Sequence, residues 1–303
     1  GYYGYRWPHG INTIVEPSLM AASNCLLLTG DYSWLDFPRT QLDRLAEMGE
    51  VRDGRLFVPH RHGDQGWYDF RAVDPRYHVQ LWFYSQDPAD WDRLCQLGPI
   101  DQWGAVGASR GKGDQSHAGP WLRWLQGKEE GYPEAILANN EAEMLRRLAM
   151  IRNDDTDPET WDVHHWQNVN PIGTEALVQL TLGGPQVIYH GGLMHCRARY
   201  LDPVQRRAGL PEDVAALVQE LAPDAISIRL VNTNPLEARP VVVQAGAFAE
   251  HRFTSAAIGD EPARAIDATH VRVELPPAGD GVVRLGMKRY ANTPTYTIPW
   301  DEL

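Results

Sequence analysis

The chain has 303 residues, 43% of them hydrophobic and 22% charged, which is enough for two domains with separate cores. Forty acidic against 28 basic side chains leave a formal charge of −12 with no basic stripe, which argues against a nucleic-acid partner. No run reaches the ~18 apolar residues of a membrane span, and Cys25, Cys95 and Cys196 are too few and too scattered for a disulfide framework or a metal motif. The aromatic set is biased, with 11 Trp and 12 Tyr against 6 Phe. Tyr and Trp combine a flat apolar body with a polar edge, which suits a polyhydroxylated ligand as well as a core.

In chain order, residues 1–200 read as helices joined by long aromatic loops. The aromatic segment Gly4-Tyr5-Arg6-Trp7-Pro8-His9-Gly10 leads into a first helix over 16–29. Gly30 then falls where a helix C-terminal glycine belongs, and Asp31 caps a second helix over 31–48. Further helices are expected over 75–86, 88–97, 134–152 and 171–182, the second of these opened by Asp87 at the cap and Pro88 at the first helical position. In 134–152, Ile136, Leu137, Met144, Leu145, Leu148 and Ile151 are expected on the buried face and Arg146, Arg147 and Arg152 outside. Asn170 reads as the cap of a helix that begins at Pro171. Cys25 and Cys95 fall in helical patterns and read as buried small hydrophobes.

Three loop blocks separate these helices, at 49–74, 98–120 and 153–171. Loops of this length with aromatic content read as functional. Beyond residue 200 the composition changes. Residues 211–218 read as a short helix or turn, and 226–232, 239–245, 270–275 and 281–288 read as strands, several of them alternating as half-buried antiparallel strands do. The expected organisation is a helical-hairpin domain over 1–205 and a β-sandwich domain over 206–303, an α+β chain.

Helical hairpins followed by a β-sandwich resemble the six-hairpin glycosidase superfamily. The segments that carry the resemblance are residues 4–10, Leu28-Thr29-Gly30-Asp31, His164-His165-Trp166-Gln167-Asn168, and Asn170-Pro171 running on to Gly183-Gly184-Pro185. The resemblance implies an (α/α) toroid, of which residues 1–200 supply about half the helices, the C-terminal half. The chain starts at Gly1 inside an apparent motif, so a further N-terminal segment, a partner chain or a second copy is expected to complete the ring. No targeting signal assigns a compartment.

Glycoside hydrolysis needs two carboxyl groups across the scissile bond. Asp64 leads, among His62, Gln65 and Trp67, because a carboxyl group against a Trp face can act as a general acid. Its other reading is a turn residue. Glu16 is its partner, although the first turn of a helix favours an acid by dipole alone. Glu175 sits in a similar place and is weaker. Arg6, Trp7, His9, His60, His62, Trp67, Tyr68, Asp101, Trp103, His165, Trp166 and Gln167 are read as substrate-binding. His60-Arg61-His62 lacks the ligand spacing of a zinc site, so no metal and no cofactor is expected.

The leading function is a hydrolase of an oligo- or polysaccharide. The alternatives are a polysaccharide lyase, with His9, Tyr68, Arg6, Gln167 and Asn168 available for proton abstraction and carboxylate neutralisation, and a non-catalytic carbohydrate-binding scaffold. The expected partner is a carbohydrate ligand, with no nucleic acid and no membrane.

Overall fold

A computed structural model describes residues 12–107, 117–162, 164–185, 192–298 and 300, with backbone alone for residues 12–14 and 167. Helix α1 (Asn12–Thr29) stops where expected but is already helical at Asn12, so Glu16 lies past its first turn and is not a helix-start acid. Gly30 has φ 71°, and its N–H donates to the Leu26 carbonyl at 2.7 Å. A Cβ there would also lie 2.7 Å from the Tyr290 carbonyl oxygen, so backbone shape and close approach both require glycine. Asp31 accepts the Ser33 N–H at 2.9 Å and opens a 3-10 turn (Tyr32–Leu35) that continues into α2 (Asp36–Glu47).

The 49–74 block is not a loop. It forms β1 (Glu50–Arg52), β2 (Arg55–Gly63) and β3 (Gly66–Ala72), an antiparallel sheet in the order β1-β2-β3. Pro59 hides it in the sequence, yet β1 pairs with β2 only up to Phe57. Beyond that point β2 has a strand partner on one side only among the described residues, and a proline is tolerated at such an edge.

Next come α3 (Arg76–Ser85) and α4 (Pro88–Cys95), the latter capped by Asp87, which accepts the Ala89 N–H at 2.9 Å. Cys95 is exposed at its end, not buried, while Cys25 is half-buried and Cys196 buried. The second loop block ends in α5 (Ala118–Leu125). Helix α6 (Tyr132–Arg152) turns a different face inward than its apolar residues indicate. Tyr132, Ile136, Glu143 and Arg147 are buried, whereas Leu137, Met144 and Leu145 are exposed. Arg147 reaches the Asn170 carbonyl at 2.7 Å, which fixes the rotation. Asn170 ends α7 (His165–Val169) and accepts the Ile172 N–H at 3.0 Å, so it caps no helix at Pro171. The next helix, α8, starts at Glu175 (Glu175–Leu177) and widens into a π turn (Val178–Leu182).

The C-terminal part is β-rich. One sheet orders β10-β9-β12-β7-β6 and the other β11-β8-β4-β5, all pairings antiparallel. The strands are β4 (Ala198–Asp202), β5 (Arg207–Ala208), β6 (Val214–Leu221), β7 (Ala225–Asn232), β8 (Arg239–Ala245), β9 (Arg252–Ile258), β10 (Arg264–Ala268), β11 (His270–Leu275) and β12 (Asp280–Lys288). Strand β6 replaces the expected helix or turn at 211–218. Its Ala, Leu and Glu residues favour helix locally, but pairing along β7 outweighs that preference. Tyr200, Ile228, Val243, Phe253, Val273 and Leu285 bring both sheets into one buried cluster. The chain is thus α+β with a β-rich C-terminal part. No described helix is long and apolar enough to cross a membrane.

Two arginines of the β-rich part close the end of α3. Arg289 donates to the carbonyls of Tyr84 (2.7 Å) and Ser85 (2.8 Å) and through Nε to Pro223 (2.8 Å). Arg197, fully buried, donates to the Phe83 carbonyl at 3.3 Å and stands 4.5 Å from the Phe83 ring centroid. These are carbonyls that a helix cannot satisfy itself, at the end its dipole makes negative. Burial, and then Arg289 close by, pull the Arg197 pKa down to about 9. The Nε and Nη1 atoms of Arg197 have no hydrogen-bond partner. The two arginines should therefore behave differently on replacement. Arg289→Ala strands two carbonyls and is expected to cost about 2 kcal/mol. Arg197→Met removes a costly buried cation and is expected to stay within about 1 kcal/mol of the parent. Urea unfolding at constant slope checks this, and equal losses in both variants would contradict it.

Candidate functional site

The helix ends gather buried polar groups that the sequence scatters over 160 positions of chain, from Glu16 on α1 to Gln179 beyond α8. Glu16 is 3% exposed, and Tyr77 on the first turn of α3 donates its hydroxyl to Glu16 Oε2 at 3.1 Å. Burial first, and the Glu16 charge second, push the Tyr77 pKa well up, so the phenol keeps its proton. Glu175, 2% exposed, opens α8. Its Oε1 accepts the backbone N–H of His117 (2.7 Å) and the amide of Gln179 (3.1 Å), and its Oε2 lies 2.8 Å from His117 Nδ1. Tyr132 donates to Gln179 Oε1 from the start of α6. Gln179, with Arg76, Gln80, Ala118 and Trp121 among others, lines a cavity of about 10 Å³. That is room for about one water.

His117 is placed to hold either charge state. Its Nε2 lies 3.1 Å from the Gly107 carbonyl oxygen and 3.3 Å from the Gly107 nitrogen. The imidazolium can donate to that carbonyl, and the neutral ring can accept from that N–H. Burial lowers the His117 pKa, but the Glu175 hydrogen bond and charge, with Gly107, outweigh it and leave it raised above 6.5. A histidine bound to a carboxylate in this way can relay a proton.

The residues expected to bind substrate are dispersed. Arg6, Trp7 and His9 lie outside the described residues, as does the side chain of Gln167. Asp64 is exposed in the two-residue turn between β2 and β3. On the same hairpin His60 and His62 are half-buried, Trp67 packs edge-on to His62 at 4.9 Å, and Tyr68 is 45% exposed. Burial, and then the Arg71 charge, lower the His60 pKa. Asp101 is exposed. Trp103 belongs to the core instead: it is 7% exposed, and its carbonyl oxygen lies 2.3 Å from where a Cβ on Gly119 would be. It offers no ring face to a ligand. His165 stacks on Trp161 at 3.9 Å and pairs with Asp154 at 2.8 Å, while Trp166 is 59% exposed. His117, Tyr77, Gln80 and Gln179 were not singled out in the sequence, because their partners lie far along the chain. Glu175 carried a signal, as an acid at a helix start. Among the described residues no group of three or more His, Cys, Asp and Glu is placed to hold a metal.

The His117–Glu175 pair has a pH signature. A histidine whose folded pKa is raised adds stability that is complete below its unfolded pKa, near 6.5, and is lost as pH rises through the folded value. The parent should therefore lose stability relative to His117→Gln as pH rises from near 6.5 through the folded value, with the difference flat on either side of that window. Urea unfolding of both proteins across about pH 5 to 9 reads it. A parent that gains stability relative to the variant as pH rises would refute the pairing.

A sequence profile of a domain of unknown function, DUF8034, matches residues 1–55 and 47–178. Glu16, Arg76, Tyr77, Gln80, His117 and Glu175 all fall within that span, and the β-rich part beyond Gln179 lies outside it. No curated protein and no solved structure matches the chain. The match covers more than half of the sequence, so the chain belongs to the DUF8034 family.

Proposed function

We propose that this chain is part of a carbohydrate-active hydrolase of six-hairpin type, a helical toroid followed by a β-sandwich. Glu16 and Glu175 form its carboxyl pair. The observation that carries the reading is the burial of these two carboxylates, each held by a proton-bearing partner, Tyr77 and His117, beside a cavity with Arg76, Gln80 and Gln179 on its wall. One carboxyl group donates a proton to the leaving oxygen and the other acts as base or nucleophile, the division of work that glycoside hydrolysis needs. Glu175 suits the donor role, because His117 can return its proton. Asp64, exposed in a turn, lacks the burial that a general acid uses, so Glu175 takes its place. The exposed rings of Tyr68 and Trp166 support a sugar ligand. The lyase alternative rests on Tyr68, which is exposed, and on His9, outside the described residues, and its unsaturated product distinguishes it from hydrolysis. In this reading the exposed Leu137, Met144 and Leu145 of α6 meet the remainder of the toroid, from a further segment, a partner or a second copy.

Hydrolysis of neutral and uronate-containing glycans, read by reducing ends and by absorbance of unsaturated uronate, tests the proposal. Glu175→Gln and Glu16→Gln are each expected to reduce turnover by about 10³-fold with thermal unfolding close to the parent. Asp64→Asn is expected to keep most activity. Full turnover in both glutamine variants, or unsaturated product from the parent, would overturn it.

A further inference from the structure

At the far end of α3 from the buried carboxylates lies a second, larger cavity. Its volume is about 470 Å³, in the range of small-molecule sites. Trp82 of α3 and Trp91 of α4 form one wall, their rings 5.1 Å apart at 62°. Pro223, in the connection between β6 and β7, also lines it. The polar lining is Gln86, Asp92 and Gln126.

Gln86 ends α3 with φ 54°, a left-handed conformation that glycine or asparagine usually fills, at a cost of about 1 kcal/mol. Its backbone N–H closes the helix on the Trp82 carbonyl at 2.6 Å, so its side chain is not needed as a cap. The side-chain Nε2 has no hydrogen-bond partner, although it is shielded from solvent. Being shielded, that atom does not face the cavity, which Gln86 lines with its other atoms, so the polar groups left to meet a ligand are those of Gln126 and Asp92. Gln126 offers a donor and an acceptor, and Asp92 accepts only. The described lining holds this one carboxylate and no Lys, Arg or His, which disfavours anions such as phosphates and uronates. Flat indole faces with amide and carboxylate groups match a ring that is apolar on its face and hydroxylated at its edge.

We infer that this groove binds a neutral pyranose unit of a glycan, at a subsite separate from the helix-end carboxylates. The inference does not depend on the catalytic reading. A chain with no hydrolase activity could still hold sugar here.

The experiment is a tryptophan-fluorescence and calorimetric titration of the full chain with three probes, the hexasaccharides of β-1,4-linked glucose, xylose and mannose. At least one should quench Trp emission and bind in the millimolar range or tighter. Trp91→Ala and Gln126→Ala should each weaken that binding tenfold or more, and Trp91→Phe, which keeps a ring and the packing, should weaken it less. Glu175→Gln should leave it unchanged, which separates this groove from the helix-end site. Absence of binding by all three probes would overturn the inference, as would parental affinity in both alanine variants. So would concentration-dependent self-association that Trp91→Phe retains and Trp91→Ala loses, since that would make the groove a protein contact.

Discussion

The end of α3 is where the helical and β-rich parts become one structure. A helix leaves its last carbonyls without internal partners, and burial turns each of them into a cost. Here the donors come from more than a hundred residues away, from Arg197 beside β4 and Arg289 after β12. Gly30 allows a second joint next to the first, since only a glycine lets α1 end against the Tyr290 carbonyl. The seam is built from backbone groups and two cations, with rings of Phe83, Tyr84, Tyr32 and Tyr290 around them. Such a joint is directional, and it sets the position of α3 along its own axis.

Both cavities depend on that position. Arg76, Tyr77 and Gln80 stand on the first turns of α3, and Trp82 and Gln86 on its last. A shift of the helix along its axis would break the Tyr77–Glu16 bond at one end and unseat Gln86 at the other. The carboxylates are held by other means. Glu175 is tied to His117 by two contacts, one to the ring and one to the backbone, which fixes the start of α5 against α8. The polar groups at the helix ends are thus held by the same bonds that hold the helices together.

What could be read from the sequence follows from the range of the interactions involved. The Gly30-Asp31 and Asp87-Pro88 signals act over three or four residues, and both caps are where the sequence places them. Strands β11 and β12 alternate because one face of each meets the core, whereas β8 is buried on both faces. The failures are non-local. In β6 a helix-favouring composition yields to pairing with a neighbour, and in α6 a charged stripe is buried because Arg147 finds the Asn170 carbonyl. Trp103 resembles any loop tryptophan until Gly119 is seen against its backbone. The carboxylate contacts are the extreme case: Tyr77 lies 61 residues from Glu16, and His117 lies 58 from Glu175. No local pattern records either pairing. The acid at a helix start was visible, but nothing in the sequence separates a dipole-favoured surface acid from a buried one.

The burial of Glu16 and Glu175 is costly to the fold. Removing a carboxylate from water carries a penalty that hydrogen bonds offset only in part, and apolar replacements of buried ion pairs are often neutral or stabilising. Glu175 opens α8, where dipole attraction would be equally well served at the surface, and Glu16 lies past the first turn of α1, where that attraction has faded. Their burial adds nothing to that attraction, and it obliges the fold to supply Tyr77, His117 and Gln179 as partners. By contrast, Asp31, Asp87 and Asp157 perform their capping from exposed positions. Burial alone does not set Glu16 and Glu175 apart, since Asp90, Asp202 and Glu250 are buried as well, held by arginines or by backbone N–H groups. What distinguishes Glu16 and Glu175 is the partner, a phenol in one case and an imidazole in the other, each of which carries a proton toward the carboxylate.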